Sequence, residues 1–168
     1  MIALAEQRGI DPAGVVQSSS LCTVTTTRVL AGGLHTRKQQ MLRIDRENRG
    51  RAVPPSERDA MVETIRRAVA SRADALVISD YGEDNLTDSL AQLAKELRAQ
   101  GTRVIVDSRF GIDRFGDGVT VATPNEPEAE AALGVELGDR KGAIAAAEVL
   151  QLRLGADAVL LTRGREGM

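Results

Sequence analysis

Short apolar runs alternate with helix-like segments through the C-terminal part of the chain, and this rhythm constrains the fold more than any other feature. Four runs have the length of β-strands: ALVIS (75–79), RVIVD (103–107), GVTVAT (118–123) and AVLLT (158–162). Consecutive apolar positions are typical of strands that are buried on both faces, as in parallel sheets. With helical crossovers between them, the runs predict a doubly wound, mainly parallel α/β sheet.

Helical patterns lie between these runs. Ser56 followed by Asp59 is a variant of the capping box and predicts a helix that ends near Ser71. Leucine and alanine at helical spacing predict a second helix over 85–100, which Gly101 ends. Further helices are predicted at residues 1–9, 124–133 and 141–154.

Residues 21–46 have a different pattern, in which LCTVTTTRVL and QQMLRID place β-branched residues in partly alternating order. With Gly32 and Gly33 between them, these segments predict two strands joined by a turn, which form a flap separate from the main sheet. The following loop, 46–55, ends in two prolines and is a candidate hinge. The predicted polar face of the flap carries Thr25, Thr27, Arg28, Gln40 and Arg43.

Basic residues are frequent on the predicted flap. They could bind a phosphorylated substrate, since arginine pairs with phosphate through two parallel hydrogen bonds. They could equally protect an exposed edge strand from pairing with a neighbouring protein. These residues are Arg28, Arg37, Lys38, Arg43 and Arg46.

Composition excludes several classes of function. With 22 Lys and Arg against 24 Asp and Glu, and with one tyrosine and two phenylalanines, the chain lacks the charge and the stacking residues of a nucleic-acid binder. A single cysteine, Cys22, and a single histidine, His35, exclude internal disulfides and a multi-histidine metal centre, and His35 is assigned no role. Because no apolar run approaches membrane length and no signal peptide opens the chain, we expect a cytoplasmic protein without a membrane partner.

Polar residues follow each of the four predicted strands. In an open parallel sheet, ligands bind beyond the carboxyl ends of the strands, so these residues are expected to line one crevice. Asp80 and Asp107 could each be a general base or a cation ligand, or could simply start or cap a turn. The four clusters are residues 79–82, 107–109, 123–128 and 162–167.

Asn125 and Glu128 are three residues apart in the first turn of a predicted helix. At this spacing they face the same way, so that an amide and a carboxylate could address a metal–phosphate complex. The same spacing fits a capping box with Asn125 as the N-cap. The Thr-x-Gly-x-x-Gly pattern that starts at Thr162 could offer a hydroxyl and bare backbone to a nucleotide, or could be an ordinary turn.

Taken together, these motifs resemble the ribokinase-like (PfkB-type) carbohydrate kinases, and among them the heptose 7-phosphate kinases that form the kinase half of ADP-heptose synthases. The more specific motifs are Thr-Pro-Asn-x-x-Glu and Thr-Arg-x-x-x-Gly-Met, and KQQ-x-L-R-I-D on the flap is similar to heptose kinases in particular. The segments occur in the family's order along essentially the whole chain: 25–47, LVISDYG (76–82), VIVDSRFGIDRF (104–115), VATPNEPEAEAALG (121–134) and LLTRGREGM (160–168).

The resemblance implies roles for individual residues. The Asn-x-x-Glu stretch implies a nucleotide site in which Glu128 helps to hold Mg²⁺, and the flap is implied to act as a substrate lid and as a homodimer interface. The implied nucleotide contacts are Asn125, Glu126, Pro127, Glu128, Thr162, Gly164 and Gly167. The implied substrate contacts are Arg28, Gln40, Asp80 and Asp107, although Asp107-Ser108-Arg109 stands where many relatives have Asp-Pro-Lys.

The activity that the resemblance implies is ATP- and Mg²⁺-dependent phosphorylation of a sugar phosphate, D-glycero-D-manno-heptose 7-phosphate, at its anomeric hydroxyl. The family's Gly-Ala-Gly-Asp motif, which supplies the catalytic base, is absent, so the base is expected beyond Met168. We therefore expect residues 1–168 to be part of a kinase domain that is incomplete at both ends, with a flap at 21–46 and an α/β core portion at 56–168. The alternatives are a kinase for another sugar and a non-catalytic nucleotide-binding module.

Overall fold

The structure is a computed structural model, and it describes residues 2–33, 37–48, 50–70, 73–81, 86–109 and 111–168. Some sequence predictions fall on residues outside this set, namely His35, Ser71, Gly82 and Asn85. The helices are α1 (Ile2–Glu6), α2 (Pro55–Ala70), α3 (Leu86–Ala99), α4 (Ile112–Phe115), α5 (Glu126–Leu133) and α6 (Arg140–Leu154). The strands are β1 (Thr25–Ala31), β2 (Gln39–Arg46), β3 (Ala75–Asp80), β4 (Arg103–Ser108), β5 (Val121–Ala122) and β6 (Ala158–Val159).

Every helix predicted from the sequence is present, and α4 is one that the sequence patterns did not indicate. The opening helix ends at Glu6 rather than at Gly9, and Gly9 N instead closes a turn onto Glu6 O at 3.0 Å. No helix in the described ranges is long and apolar enough to cross a membrane.

The main sheet has the strand order β3-β4-β5-β6, and all three neighbouring pairs are parallel. This confirms the predicted α/β fold with a parallel sheet. The register pairs Ile78 with Val106 and continues through Val106 with Ala122 and Ala122 with Val159. Because the strands run in the same direction, their carboxyl ends lie along a single edge.

Strands β5 and β6 are each two residues long, shorter than the sequence patterns indicated. The start of the third predicted strand is instead a 3-10 turn over Gly116–Gly118. At Gly118 a Cβ atom would lie 2.8 Å from the Lys95 backbone nitrogen, so this turn approaches α3 as closely as a glycine allows. The turn therefore serves packing against a helix rather than pairing in the sheet.

The core lies on one face of the sheet. Val104, Val106 and Phe115 are completely buried there together with Leu93 and Leu97 of α3. A second cluster joins α5 and α6 through residues that include Ala129, Leu137, Leu150 and Leu161. The expectation that β3 is buried on both faces is wrong, because Val77 is 67% exposed. Val77 alternates with the buried Ile78, so its side chain lies on the face of the sheet that points away from the core.

Strands β1 and β2 form a separate antiparallel sheet, as the sequence predicted, and we call this hairpin the flap. Its register places Arg28 opposite Arg43, Thr27 opposite Ile44 and Val29 opposite Leu42, with a bulge between Val29 and Leu30. Since side chains alternate along a strand, Thr25 and Thr27 share a face with Leu42, Ile44 and Arg46, and not with Arg28 and Arg43. The predicted polar face is therefore wrong for these two threonines. Gln40 lies beyond the bulge, opposite Leu30.

The base of the flap is held by side chains that precede and follow its strands. Asn48 Oδ1 accepts a hydrogen bond from Cys22 N at 2.9 Å, and Asn48 Nδ2 donates to Cys22 O at 2.8 Å. Arg51 Nη1 donates to Ser20 O at 3.1 Å. These contacts tie the two ends of the flap together. The hinge in the 46–55 loop stays a prediction, and so does the division into a flap at 21–46 and a core portion at 56–168.

Candidate functional site

Four chain segments that the sequence analysis singled out lie side by side at the carboxyl ends of the parallel strands. The register aligns Asp80 with Ser108 at the ends of β3 and β4. Farther along, Asn125 pairs with Thr162 in an isolated parallel bridge, and Thr162 N donates to Pro124 O at 2.9 Å. We call this row of residues the carboxyl edge.

The N-terminus of α5 carries a complete capping box at this edge. Asn125 Oδ1 accepts a hydrogen bond from Glu128 N at 2.9 Å, and Glu128 Oε2 accepts one from Asn125 N at 2.9 Å. The capping-box interpretation thus describes the local structure. Among the described contacts the cap uses only one oxygen of the half-buried Glu128 carboxylate, and a cation contact by the second oxygen stays a prediction.

The other two predicted contacts of this turn differ in what they can offer a ligand. The Glu126 carboxylate is engaged, because its Oε1 accepts a hydrogen bond from Arg163 Nε at 2.7 Å. Pro127 is exposed in the first helical turn and has no polar side-chain atom. Its contribution is to favour the start of the helix, where a missing N–H costs nothing.

The turn that follows Thr162 presents bare backbone. Gly164 and Gly167 have φ angles of +55° and +86°, and both are exposed. These left-handed conformations favour glycine, although a Cβ atom added at either residue would meet no described atom within 4 Å. Arg163 N donates to Gly167 O at 2.8 Å and closes the turn. The turn can therefore bring backbone groups close to a flat or anionic ligand.

Asp80 and Asp107 do not belong to one constellation. Asp80 is 5% exposed, and its Oδ2 accepts hydrogen bonds from Thr87 Oγ1 and Ser108 Oγ, each at 3.0 Å. Asp107 is exposed and pairs in register with Ser79, so it lies on the opposite face of the sheet. The geometry ties Asp80 to β4 and α3, and a substrate contact by either aspartate stays a prediction.

Arg28 and Gln40 lie on the flap, and no described hydrogen bond or ion pair joins them to the carboxyl edge. The polar face of the flap is nevertheless ordered by charge. Asp45 accepts hydrogen bonds from Thr26 Oγ1 at 2.8 Å and from Arg43 Nε at 2.9 Å. The pKa of the Asp45 carboxyl lies below its usual range. The main cause is the hydrogen bond from Thr26; the hydrogen bond and charge of Arg43 and the charge of Arg28 add smaller contributions.

No preformed metal cage is present in the described part of the chain, where no group of three or more His, Cys, Asp and Glu side chains could hold a metal ion. Of the carboxylates around the N-terminus of α5, Glu126 and Glu166 pair with Arg163, whereas no described ion pair engages Glu128, which lies beside the amide of Asn125. This donor set fits Mg²⁺, which keeps most of its water and is usually bound through one or two carboxylates and the substrate's phosphates.

Three side chains that organise the edge had no individual role in the sequence analysis: Ser108 and Arg163 were only members of predicted polar clusters, and Thr87 was missed. Ser108 was visible only as a neighbour of Asp107, and Thr87 lies inside a helix pattern. Arg163 and its partner Glu126 are 37 positions apart, so no local spacing rule connects them.

Comparison with known proteins identifies the family of the chain. The pfkB family carbohydrate kinase pattern matches residues 1–168. The bifunctional protein HldE of Geobacter sulfurreducens is 36% identical over 162 residues, which cover 96% of this chain and 32% of that protein. HldE of Methylobacillus flagellatus is 32% identical over 169 residues, covering 100% of this chain and 33% of that protein. The chain thus spans about a third of the length of these relatives.

Solved structures show the same fold. Phosphofructokinase-2 from Escherichia coli in complex with fructose-6-phosphate superposes with a TM-score of 0.60 at 23% identity, covering 75% of this chain and 42% of that one. The crystal structure of Sa239 superposes with a TM-score of 0.65 at 15% identity, covering 96% of this chain and 50% of that one. At these identities the likeness concerns the fold alone, whereas the match along the whole sequence establishes the family: the chain belongs to the pfkB family of carbohydrate kinases.

Proposed function

We propose that this chain provides the nucleotide-holding part of an ATP-dependent sugar-phosphate kinase that acts on D-glycero-D-manno-heptose 7-phosphate at the anomeric hydroxyl. The observation that carries the proposal is the parallel bridge between Asn125 and Thr162. It sets a helix N-terminus beside a glycine turn, and both features suit the phosphates of a nucleotide. The heptose is proposed because the KQQ-x-L-R-I-D segment of the flap resembles the heptose 7-phosphate kinases.

The proposed polyphosphate site uses groups that are already oriented. The capping box fixes the first turn of α5, and the N-terminal end of a helix attracts negative charge. The Thr162 hydroxyl and the backbone near Gly164 and Gly167 lie on the other side of the bridge. Glu128 would hold Mg²⁺ through water, and the bound ion would neutralise charge that develops on the transferred phosphoryl group.

The proposed sugar-phosphate contacts lie on the polar face of the flap. Arg28 stands directly opposite Arg43, a pairing of like charges that destabilises a hairpin. Asp45 balances one of the two charges through its bond with Arg43. The remaining positive charge suits the phosphate of a sugar phosphate, which a guanidinium can bind in a bidentate manner.

The test of this proposal separates binding from turnover. Because the sequence lacks a Gly-Ala-Gly-Asp motif, we expect the 168-residue chain to bind ADP in calorimetry and to show no sugar phosphorylation with ATP, Mg²⁺ and heptose 7-phosphate. General-base and anion-stabilising groups are each worth about 100-fold or more in rate. Turnover by this chain alone would show that the catalytic residues are misplaced and that Asp80 or Asp107 must be considered as the base.

Glu128→Gln tests the assignment of Mg²⁺. In the variant, the amide keeps an oxygen for the cap, so the fold should be retained. We expect the gain in ADP affinity on adding Mg²⁺ to fall about tenfold, since a neutral amide holds a hydrated cation poorly. Glu130→Gln, which changes a carboxylate in the same helix, is the matched control and should leave this gain intact. An unchanged Mg²⁺ effect in Glu128→Gln would contradict the role of Glu128.

A second copy of the chain is the proposed partner of the flap. Val29, Leu42 and Ile44 share one face and are 45%, 52% and 52% exposed. A two-stranded ribbon cannot bury such a face by itself in water. Light scattering of the kinase at micromolar concentration should show a dimer that Leu42→Asp converts to monomer. A wild-type monomer, or a dimer that persists in Leu42→Asp, would contradict this interface.

Two other functions remain distinguishable by experiment. One is a non-catalytic nucleotide-binding module, and the other is a kinase for another sugar. A longer product of the same coding sequence that binds ADP but transfers no phosphoryl group would support that module. Faster transfer to fructose 6-phosphate than to heptose 7-phosphate would instead support a kinase for another sugar.

A further inference from the structure

Arg163 links the two halves of the carboxyl edge, although no sequence pattern gave it a role. Its Nε donates to Glu126 Oε1 at 2.7 Å, and its Nη1 lies 2.8 Å from Glu166 Oε2. The arginine side chain is only 12% exposed, against 35% for Glu126 and 67% for Glu166. One guanidinium thus joins the first residue of α5 to the glycine turn.

The backbone holds Arg163 in this position from both sides. Before it, Thr162 N donates to Pro124 O at 2.9 Å and Thr162 bridges to Asn125. After it, Arg163 N donates to Gly167 O at 2.8 Å, and Glu166 N donates to Arg163 O at 3.0 Å. The guanidinium is therefore aimed by the chain itself, and it bridges the two segments between which the polyphosphate is proposed to lie.

The charges at this place explain why a cation is needed. Glu126 and Glu128 lie in the first turn of α5, and Glu166 lies in the facing turn. Three carboxylates beside a polyphosphate would repel it strongly. The hydrogen bond to Glu126, with the nearby charges of Glu166 and Asp139, raises the pKa of Arg163 above its usual range, so the guanidinium stays charged.

We propose that Arg163 is a positioning residue for the nucleotide polyphosphate: it fixes the glycine turn against α5 and neutralises the Glu126 carboxylate that would otherwise repel the phosphates. The inference rests on the proposed nucleotide site. This role requires the planar guanidinium of arginine, which reaches two carboxylates at once, whereas lysine carries a single point charge. Arg163 acts through Glu126 and Glu166 and need not touch the nucleotide.

The experiment compares ligands that differ in charge. Calorimetry measures the affinity of the 168-residue chain for adenosine and for ADP without Mg²⁺. In Arg163→Gln we expect ADP affinity to fall about tenfold and adenosine affinity to change by less than about twofold, because charge pairing concerns only the phosphates. A second substitution, Glu126→Gln in the same chain, removes the repelling charge and should restore ADP affinity to within about threefold of wild type.

Arg98→Gln is the matched control. Arg98 is 23% exposed and binds Asp157 Oδ1 and Gly155 O, each at 2.9 Å, at the opposite edge of the sheet. The Arg98→Gln substitution is expected to lower the melting temperature and to leave the ratio of ADP affinity to adenosine affinity unchanged. If Arg163→Gln fails to fold, Arg163→Lys replaces it, with an expected fall in ADP affinity of about threefold, because lysine keeps the charge but not the fork.

The outcomes separate this inference from the proposed nucleotide site. In one outcome the wild-type chain binds ADP, and the ratio of ADP affinity to adenosine affinity is unchanged in Arg163→Gln, or in Arg163→Lys where that variant is used. This outcome would overturn the role of Arg163 and would leave the proposed nucleotide site standing. Equal losses for both ligands, or no recovery in the double variant, would reduce Arg163 to a packing residue and also overturn the proposal. A wild-type chain that binds no ADP would overturn both.

Discussion

The flap and the main sheet are built from similar β-forming sequence, yet they are stabilised in different ways. In the sheet, Val104, Val106 and Phe115 are completely buried. In the flap, every residue of β1 and β2 except Thr26 is exposed. The sheet gains its stability from burial, and the flap relies on its hydrogen-bond ladder and on the Asn48 contacts at its base. A β-forming pattern therefore predicts a strand without predicting what covers it.

The largest expected effect comes from truncating one apolar side chain in each of the two regions. Phe115→Ala should lower the free energy of unfolding by about 3–5 kcal/mol, because it leaves a cavity in the core. Leu42→Ala on the flap should lower it by less than about 0.5 kcal/mol in a dilute, monomeric sample. Urea unfolding followed by circular dichroism measures both. A comparable loss for Leu42→Ala would show that the flap is buried in solution.

Two aspartates that accept described side-chain hydrogen bonds, Asp80 in the core and Asp45 on the flap, sharpen the comparison. Asp80→Ala should cost about 2–3 kcal/mol, because it removes the acceptor of the buried Thr87 and Ser108 hydroxyls. Asp80→Asn, which keeps one carbonyl oxygen, should recover part of this loss. Asp45→Ala on the exposed flap should leave the melting temperature unchanged within error. Thermal unfolding of the three variants decides whether burial sets the difference.

The smallest expected effect is a shift in acid titration on the flap. Thr26, Arg43 and the charge of Arg28 hold the pKa of Asp45 below its ordinary 3.8. A carboxyl whose pKa is lower in the folded state stabilises the fold above its ordinary pKa, and this contribution is lost as the pH falls through the folded value. Arg43→Gln should raise the pKa of Asp45 toward 3.8 in NMR titrations.

Glu96 on α3 provides the control for that titration. Its pKa lies below the ordinary 4.5 because of hydrogen bonds from Gln92 and Arg66. Since these partners lie in the core portion, Arg43→Gln should leave the titration of Glu96 unchanged. A shift at both carboxyls would mean that the substitution disturbs more than the flap.

The sequence allowed most of the fold to be predicted, because its strongest patterns are local. Apolar runs located all four parallel strands, and spacing located α2, α3, α5 and α6 to within a few residues. Local rules failed where a distant contact decides. Gly118 turns toward Lys95 instead of joining β5, and the exposure of Val77 depends on whether another element covers its face of the sheet.

The candidate site could be predicted only in part, for the same reason. The spacing of Asn125 and Glu128 is compatible with a capping box and with a cation site. The structure shows the capping box, and the cation site stays a prediction. The burial of Asp80 and the pairing of Arg163 with Glu126 join segments that are far apart in sequence. Such pairs become visible only when the strand order is known.

The strand order of the main sheet is also the order of the strands along the chain. During synthesis on the ribosome, the strand that each new strand pairs with has already been synthesised. Only the single connection between these two strands has to form a closed loop before they can pair. The sheet can therefore grow by addition at a single moving edge while the chain is still emerging. Few wrong partners are exposed at any moment, which favours an early, orderly assembly of the carboxyl ends.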